Sequence, residues 1–261
     1  MQIRDDQSTD WIRRYRPSPD SDVRLVCFPH AGGAATYFHP VARALAPDTD
    51  VVALQYPGRQ DRFHEPCVTD LEVLADRLAE QITALSEKPT VLFGHSMGAA
   101  LAFETAVRLE AAGVNPPRAV VVSGRRAPSV HRDEQVHEQD DDGIIAELRS
   151  LNGTDSAVFG DEELLSLALP AIRGDYTAIE TYTCPVGRRL RCGLTVLTGD
   201  GDPRTTIEEA GAWQTHTQGP FRVRVFSGGH FFLADHREAV NEILVGCLHH
   251  ARTAGAAGPG G

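Results

Sequence analysis

The sequence predicts an α/β fold: a mostly parallel central sheet flanked by helices, with a helical insertion late in the chain. Three observations carry this. Short apolar runs alternate with helical stretches along most of the chain. One run, Val91-Leu92-Phe93, passes through Gly94-His95-Ser96-Met97-Gly98 into a long helical stretch. From residue 125 to residue 186 the strand alternation stops, and helical stretches fill the gap.

The elements follow in order. Residues 1–22 are polar, carry Pro17 and Pro19 near their end, and read as an arm. Residues 23–28 (VRLVCF) are the first core strand, and Pro29-His30-Ala31-Gly32-Gly33 is a glycine-rich loop directly after it. Residues 37–46 space Phe38, Val41 and Leu45 as a helix does and stop before Pro47. Residues 50–56 are a second strand, closed by Pro57-Gly58. Residues 70–85 form an amphipathic helix with Asp70 as N-cap and Leu71, Leu74, Leu78, Ile82 and Leu85 on one stripe. The helix after Ser96 runs to Ala112, with Gly113 as its stop. Residues 119–123 (AVVVS) are another buried strand.

Residues 125–140 are charged and unpatterned, and helices are expected over 142–151 and 161–183. Such an insertion is a natural lid, with Leu164, Leu167, Leu169 and Ile172 lining a chamber or packing onto the core. The core resumes with a strand at 193–198, a helix at 206–218, a strand at 221–226 and a last helix at 237–250. The expected division is an arm (1–22), a core (23–124 and 187–252), a lid (125–186) and a disordered tail (253–261).

Composition narrows the function classes. A net charge of −11 argues against nucleic acid as the main partner. No run approaches the ~20 apolar residues of a membrane span, and the N-terminus lacks the apolar core of a signal peptide. Cys27, Cys67, Cys184, Cys192 and Cys247 are odd in number and lack C-x-x-C spacing. Reduced thiols in the cytoplasm are therefore expected; separately, a monomer is expected. Carboxylates and histidines do not fall at metal-ligand spacings, so no metal site is expected.

The reactive residue types fall on loops that follow strands. The G-x-S-x-G turn holds Ser96 in a sparsely allowed backbone region, so Gly94 and Gly98 must leave room around it. Met97 opens the helix, and its N–H points at any anion formed beside Ser96. His230, in Ser227-Gly228-Gly229-His230, is placed to take the serine proton. The acid that orients it lies in Gly199-Asp200-Gly201-Asp202-Pro203. Asp202 is favoured, because the loop tip reaches across while Asp200 sits nearer the strand end. Asp200 then caps the loop through its own backbone N–H groups. Ala31 is expected to supply the second oxyanion donor, with His30 and Gly32 supporting that loop. His131, His137 and His216 read as surface residues, and His249 and His250 as the end of the last helix. The order serine, acid, histidine is that of the α/β-hydrolase fold.

Taken together, Leu25 to Gly33, Tyr56-Pro57-Gly58-Arg59-Gln60-Asp61-Arg62, Phe93 to Ala99, Leu169-Pro170 with Asp175-Tyr176 and Glu180-Thr181-Tyr182, Thr198 to Pro203 and Gly228 to Leu233 resemble the type II thioesterases of polyketide and nonribosomal peptide synthetases. The resemblance runs from about residue 10 to residue 250. It implies hydrolysis of acyl groups from the phosphopantetheine thiol of acyl or peptidyl carrier proteins, with a helical lid over the acyl chamber. It implies no cofactor beyond the phosphopantetheine that the substrate carries. In the family's pattern the acid is the later aspartate, which matches Asp202. Carriers of this kind are acidic, and Arg59, Arg62, Arg125 and Arg126 are the candidate docking residues. The competing readings are a general carboxylesterase or lipase on free esters, and a non-catalytic carrier-binding module.

Overall fold

The computed structural model describes residues 10–151 and 162–256. Among the described residues seven strands form one sheet: β1 (Ile12–Arg13), β2 (Arg24–Phe28), β3 (Asp50–Leu54), β4 (Thr90–His95), β5 (Ala119–Ser123), β6 (Gly193–Gly199) and β7 (Phe221–Phe226). Their spatial order is β1-β3-β2-β4-β5-β6-β7, with β1 antiparallel to β3 and every other pairing parallel. β2, β3 and β4 are buried along their whole length. Continuous apolar runs such as LVCF and VLF fit a sheet covered on both faces.

Helices cover the two faces. On one lie α2 (Leu71–Thr83) and α3 (Met97–Ala112), whose side chains join Val26, Val52, Leu92 and Val120 in a single core. On the other lie α1 (His39–Leu45) and α7 (Arg237–Ala256), packed on Leu25, Val51, Val91 and Val121. Asp70 caps α2 by accepting from the Val73 N–H at 3.1 Å. Gly113 ends α3 in the left-handed region at φ 68°, which a residue without Cβ adopts cheaply.

Three elements depart from the sequence expectation. The arm supplies a strand: Ile12 pairs with Leu54 and Arg13 with Ala53, and Ile12 is fully buried. The helix expected over 206–218 is α6 (Ile207–Gly211), which tightens into a 3-10 turn over Ala212–His216. Trp213 sets that turn by burying its ring and donating Nε1–H to the Arg125 carbonyl at 2.8 Å. The last helix continues to Ala256, so His249 and His250 lie inside it and residues 253–256 are not a loose tail. The disorder expected further on falls on 257–261, outside the described residues.

Between β5 and β6 stand α4 (Asp141–Ser150) and α5 (Glu162–Glu180). They build a small core of their own from Val136, Ile144, Leu148, Leu169, Ile172 and Tyr176, which rests on Ala31. Leu167 faces solvent, and Leu164 lies outside the residues whose side chains are described. The base of this insertion is tied by charge: Glu134 accepts from Arg126 at 2.7 Å and from Arg204 at 2.9 Å. Burial alone would raise the Glu134 carboxyl. The Arg126 hydrogen bond and the Arg126, Arg204 and Arg125 charges hold it down at about 2, against an ordinary 4.5. Its stabilisation is therefore present above pH 4.5 and lost as pH falls toward 2. Glu134→Gln should remove part of the acid-induced loss of stability in that window, read as Tm against pH. Parallel Tm–pH curves for the two proteins would contradict it.

Candidate active site

The site forms because parallel strands in register end at one edge. Phe28 pairs with Gly94, His95 with Ser123, Ser123 with Leu197, and Gly199 with Phe226. The loops after β2, β4, β5, β6 and β7 therefore open onto the same rim, where ligands bind such sheets.

Ser96 sits at φ 56° and ψ −120°, a strained position for a residue with a side chain. Its N–H donates to the Ser123 carbonyl at 2.8 Å, which pins the turn to β5. The glycines on either side are required by contact. A Cβ on Gly94 would stand 1.9 Å from the Gly98 carbonyl oxygen, and one on Gly98 would stand 2.0 Å from that of Phe28. The Ser96 Oγ lies 3.0 Å from His230 Nε2. His230 Nδ1 lies 3.0 and 2.9 Å from the two carboxylate oxygens of Asp202. Both side chains are buried, and Asp202 also accepts from the Arg204 N–H at 2.8 Å.

Asp200 is placed differently. Its carboxylate accepts from the Gly228 N–H at 2.9 Å, while Gly201 N–H donates to the Gly228 carbonyl. Asp200 thus ties the acid loop to the histidine loop, where the sequence suggested a cap on its own loop. A packed cluster of rings backs His230. The His95 ring centroid lies 5.1 Å from that of His230, and His30 packs edge-on to Tyr37 and Phe231. Burial, with the His230 and Arg59 charges, pushes His30 down to about 3. Burial, with the His230 and His30 charges, pushes His95 well below its ordinary value. Both rings are neutral at working pH. His30 packs as a ring within the loop that carries Ala31, Gly32 and Gly33.

The relay stands under the insertion. Ile172 of α5 packs over Gly32, and Asp175 of α5 accepts from the Gly32 N–H at 2.7 Å. That bond occupies the Gly32 N–H and ties the loop that carries Ala31 to α5. Met97 opens α3, so its N–H has no carbonyl four residues back within the helix.

A family model described as a thioesterase domain matches residues 23–247. The chain belongs to the thioesterase domain family. It is a hydrolase of thioester bonds, and its likeness is to the type II members. A probable cadicidin biosynthesis thioesterase of Streptomyces griseus is 63% identical over 253 residues, covering 97% of this chain and 70% of that protein. Thioesterase PikA5 of Streptomyces venezuelae is 47% identical, covering 89% and 84%. Among solved structures, the type II thioesterase BorB of the borrelidin biosynthetic cluster superposes with a TM-score of 0.88 at 52% identity. It covers 93% of this chain and 99% of its own.

Three of the arginines proposed for docking in this thioesterase are not available for it. Arg59 is buried and grips Asp175 through two bonds, at 2.6 and 2.8 Å. Arg62 is buried, lies 4.1 Å over the Trp11 ring and binds Glu65. Arg126 is buried on Glu134. Arg125 is partly buried. His216, expected at the surface, is buried between the Arg188 carbonyl and the Ser129 hydroxyl.

The sequence reading quoted Asp175 within a family stretch without giving it a role, and missed Glu104. Asp175 joins Arg59, the Gly32 N–H and α5 in one clamp. Glu104 of α3 is fully buried and holds Tyr182 from the end of the insertion and Arg188 from just beyond it. The signals were present: Asp175 lies inside an apolar helical stretch and Glu104 inside an alanine-rich one. Asp175→Asn should leave the Arg59 charge buried without its counter-charge and cost about 3–5 kcal/mol. Urea unfolding measures this, and kcat should fall with it because the Ala31–Gly32 loop loses its tether. A change below about 0.5 kcal/mol, the size of an ordinary surface substitution, would contradict the clamp.

Proposed function

We propose that this thioesterase hydrolyses acyl groups from the phosphopantetheine arm of carrier proteins through an acyl-Ser96 intermediate, clearing stalled or aberrant chains. The observation that supports the serine route best is the unbroken relay from Ser96 through His230 to Asp202. One relative is named for cadicidin biosynthesis, and solved neighbours are type II thioesterases of the borrelidin biosynthetic cluster and of the yersiniabactin NRPS/PKS pathway, and that supports carrier-bound acyl chains as substrate.

The proposed steps are these. His230 Nε2 takes the Ser96 proton as Oγ attacks the thioester carbonyl. Asp202 accepts from His230 Nδ1–H, fixes the tautomer and stabilises the imidazolium. The tetrahedral oxyanion is held by the N–H groups of Met97 and Ala31. The carbon–sulfur bond breaks, and His230 returns the proton to the departing thiolate. Water then loses a proton to His230 and attacks the acyl-serine, releasing a carboxylic acid and restoring Ser96. Asp175 and Arg59 position the Ala31 loop without touching the reacting atoms.

The experiment compares kcat/KM for an acylated carrier protein and for a small free thioester across an ionic-strength series. Carrier docking through surface charge is weak and screened. Turnover of the acylated carrier should therefore exceed that of the small thioester and fall with salt, while the small thioester changes little. Faster turnover of a small ester at every salt concentration would contradict the reading.

A further inference from the structure

The insertion joins the core by two stalks, and a cavity of about 360 Å³ lies between them. Arg125 to Arg132 line one side, Tyr182 to Arg189 the other, and Ala100 of α3 lines it too. Ala100 is about one helical turn past Ser96. Arg125 stands two residues after Ser123, whose carbonyl holds the Ser96 N–H. The cavity therefore shares a wall with the nucleophile's helix.

Most of the charge around this cavity is matched. Arg126 is held by Glu134, Arg132 by Glu209, and Arg188 by Glu72 and Glu104. Arg125 and Arg189 differ: neither guanidinium has an acidic or hydrogen-bonding partner among the described residues. Arg125 is the more buried of the two. The carboxylates near it are already engaged. Glu134 binds Arg126 and Arg204, and Glu180 accepts from the Val136 and His137 N–H groups and meets the His137 ring. The Trp213 bond to the Arg125 carbonyl fixes where the side chain starts. Burial and the Arg126 and Arg204 charges push Arg125 down to about 9, against the opposing pull of Glu134 and Glu180. A guanidinium keeps its charge at neutral pH regardless, so this cation feels Glu134 and Glu180 only across space and forms no direct ion pair among the described residues.

We propose that the cavity between the stalks is an anion-binding subsite for the substrate, with Arg125 as its main ligand and Arg189 at its outer edge. It rests on the thioester-hydrolysis reading above and adds a preference that reading does not contain. The ligand chemistry is an oxyanion with two possible sources: a carboxylate on the acyl chain or the phosphate of the pantetheine arm. A planar guanidinium suits either, since it offers paired donors to two oxygens.

The test uses two substrate pairs with the wild type, Arg125→Gln and Arg125→Lys. The first pair is a neutral and an ω-carboxylated acyl group of equal length on N-acetylcysteamine. The second is one neutral acyl group on pantetheine and on 4′-phosphopantetheine. The wild type should favour the anionic member of one pair. Arg125→Gln should reduce that preference about tenfold or more, as expected for one charge-assisted hydrogen bond, and Arg125→Lys should retain part of it. The pair that responds names the source. Calorimetric titration with glutarate and with inorganic phosphate reads the same site without turnover: the wild type should bind one of them, and Arg125→Gln should not. If neutral thioesters are hydrolysed but neither preference nor titration depends on Arg125, the subsite is overturned and the hydrolase reading stands. If the wild type hydrolyses no thioester, that reading falls and the titration alone decides the subsite.

Discussion

Ser96→Ala should abolish thioester hydrolysis, with kcat falling by on the order of 10⁶, because members of a relay act as a unit. The fold should survive. Alanine keeps the Cβ that the turn already accommodates at φ 56°, and the N–H bond to Ser123 does not involve the side chain. The side-chain hydrogen bond lost among the described residues is the 3.0 Å one to His230. Tm should therefore stay close to the wild-type value while turnover disappears. A serine-directed phosphonate should label the wild type at Ser96 and leave the variant unlabelled. Turnover within tenfold of wild type would remove the covalent route.

Asp202→Asn should reduce kcat by about 10⁴. An asparagine there can donate its amide N–H to His230 Nδ1, which places the ring proton on Nε2. That nitrogen then faces Ser96 as a donor and has no lone pair to take the serine proton. Asp200→Asn should act differently. The Asp200 carboxylate accepts one N–H, from Gly228, and an asparagine carbonyl can do the same. Its activity should stay within a few-fold of wild type, with any effect read as a lower Tm. Equal losses at both positions, or the reverse ranking, would make Asp200 the orienting acid.

Sequence alone went far where local pattern and strand periodicity decide the outcome. Six of the sheet's strands are continuous or alternating apolar runs with turn residues at their ends, and residues 119–123 and 221–226 are strands with those bounds. The missed strand, Ile12–Arg13, is two residues long and exists by pairing with Leu54 and Ala53, so no periodicity announces it. Ser96, Asp202 and His230 were legible because each follows a strand, and parallel strands in register end together. The arginines were not. Arg59 and Arg62 look in sequence like any solvated pair, and what buries them is distant: Asp175 from the insertion for Arg59, and Trp11 from the N-terminal segment for Arg62. Contacts across such separations leave no spacing to read. His216 was misjudged for the same reason, since its partners lie at Ser129 and Arg188.

The measurement that bears most directly on the central claim is the intact mass of an acylated carrier protein incubated with the enzyme. The carrier should lose the mass of its acyl group and keep its phosphopantetheine, and the acyl mass should appear transiently on the enzyme at Ser96. With Ser96→Ala the carrier should remain acylated. A carrier that stays acylated beside wild-type enzyme, while a free ester in the same tube is hydrolysed, would contradict the account.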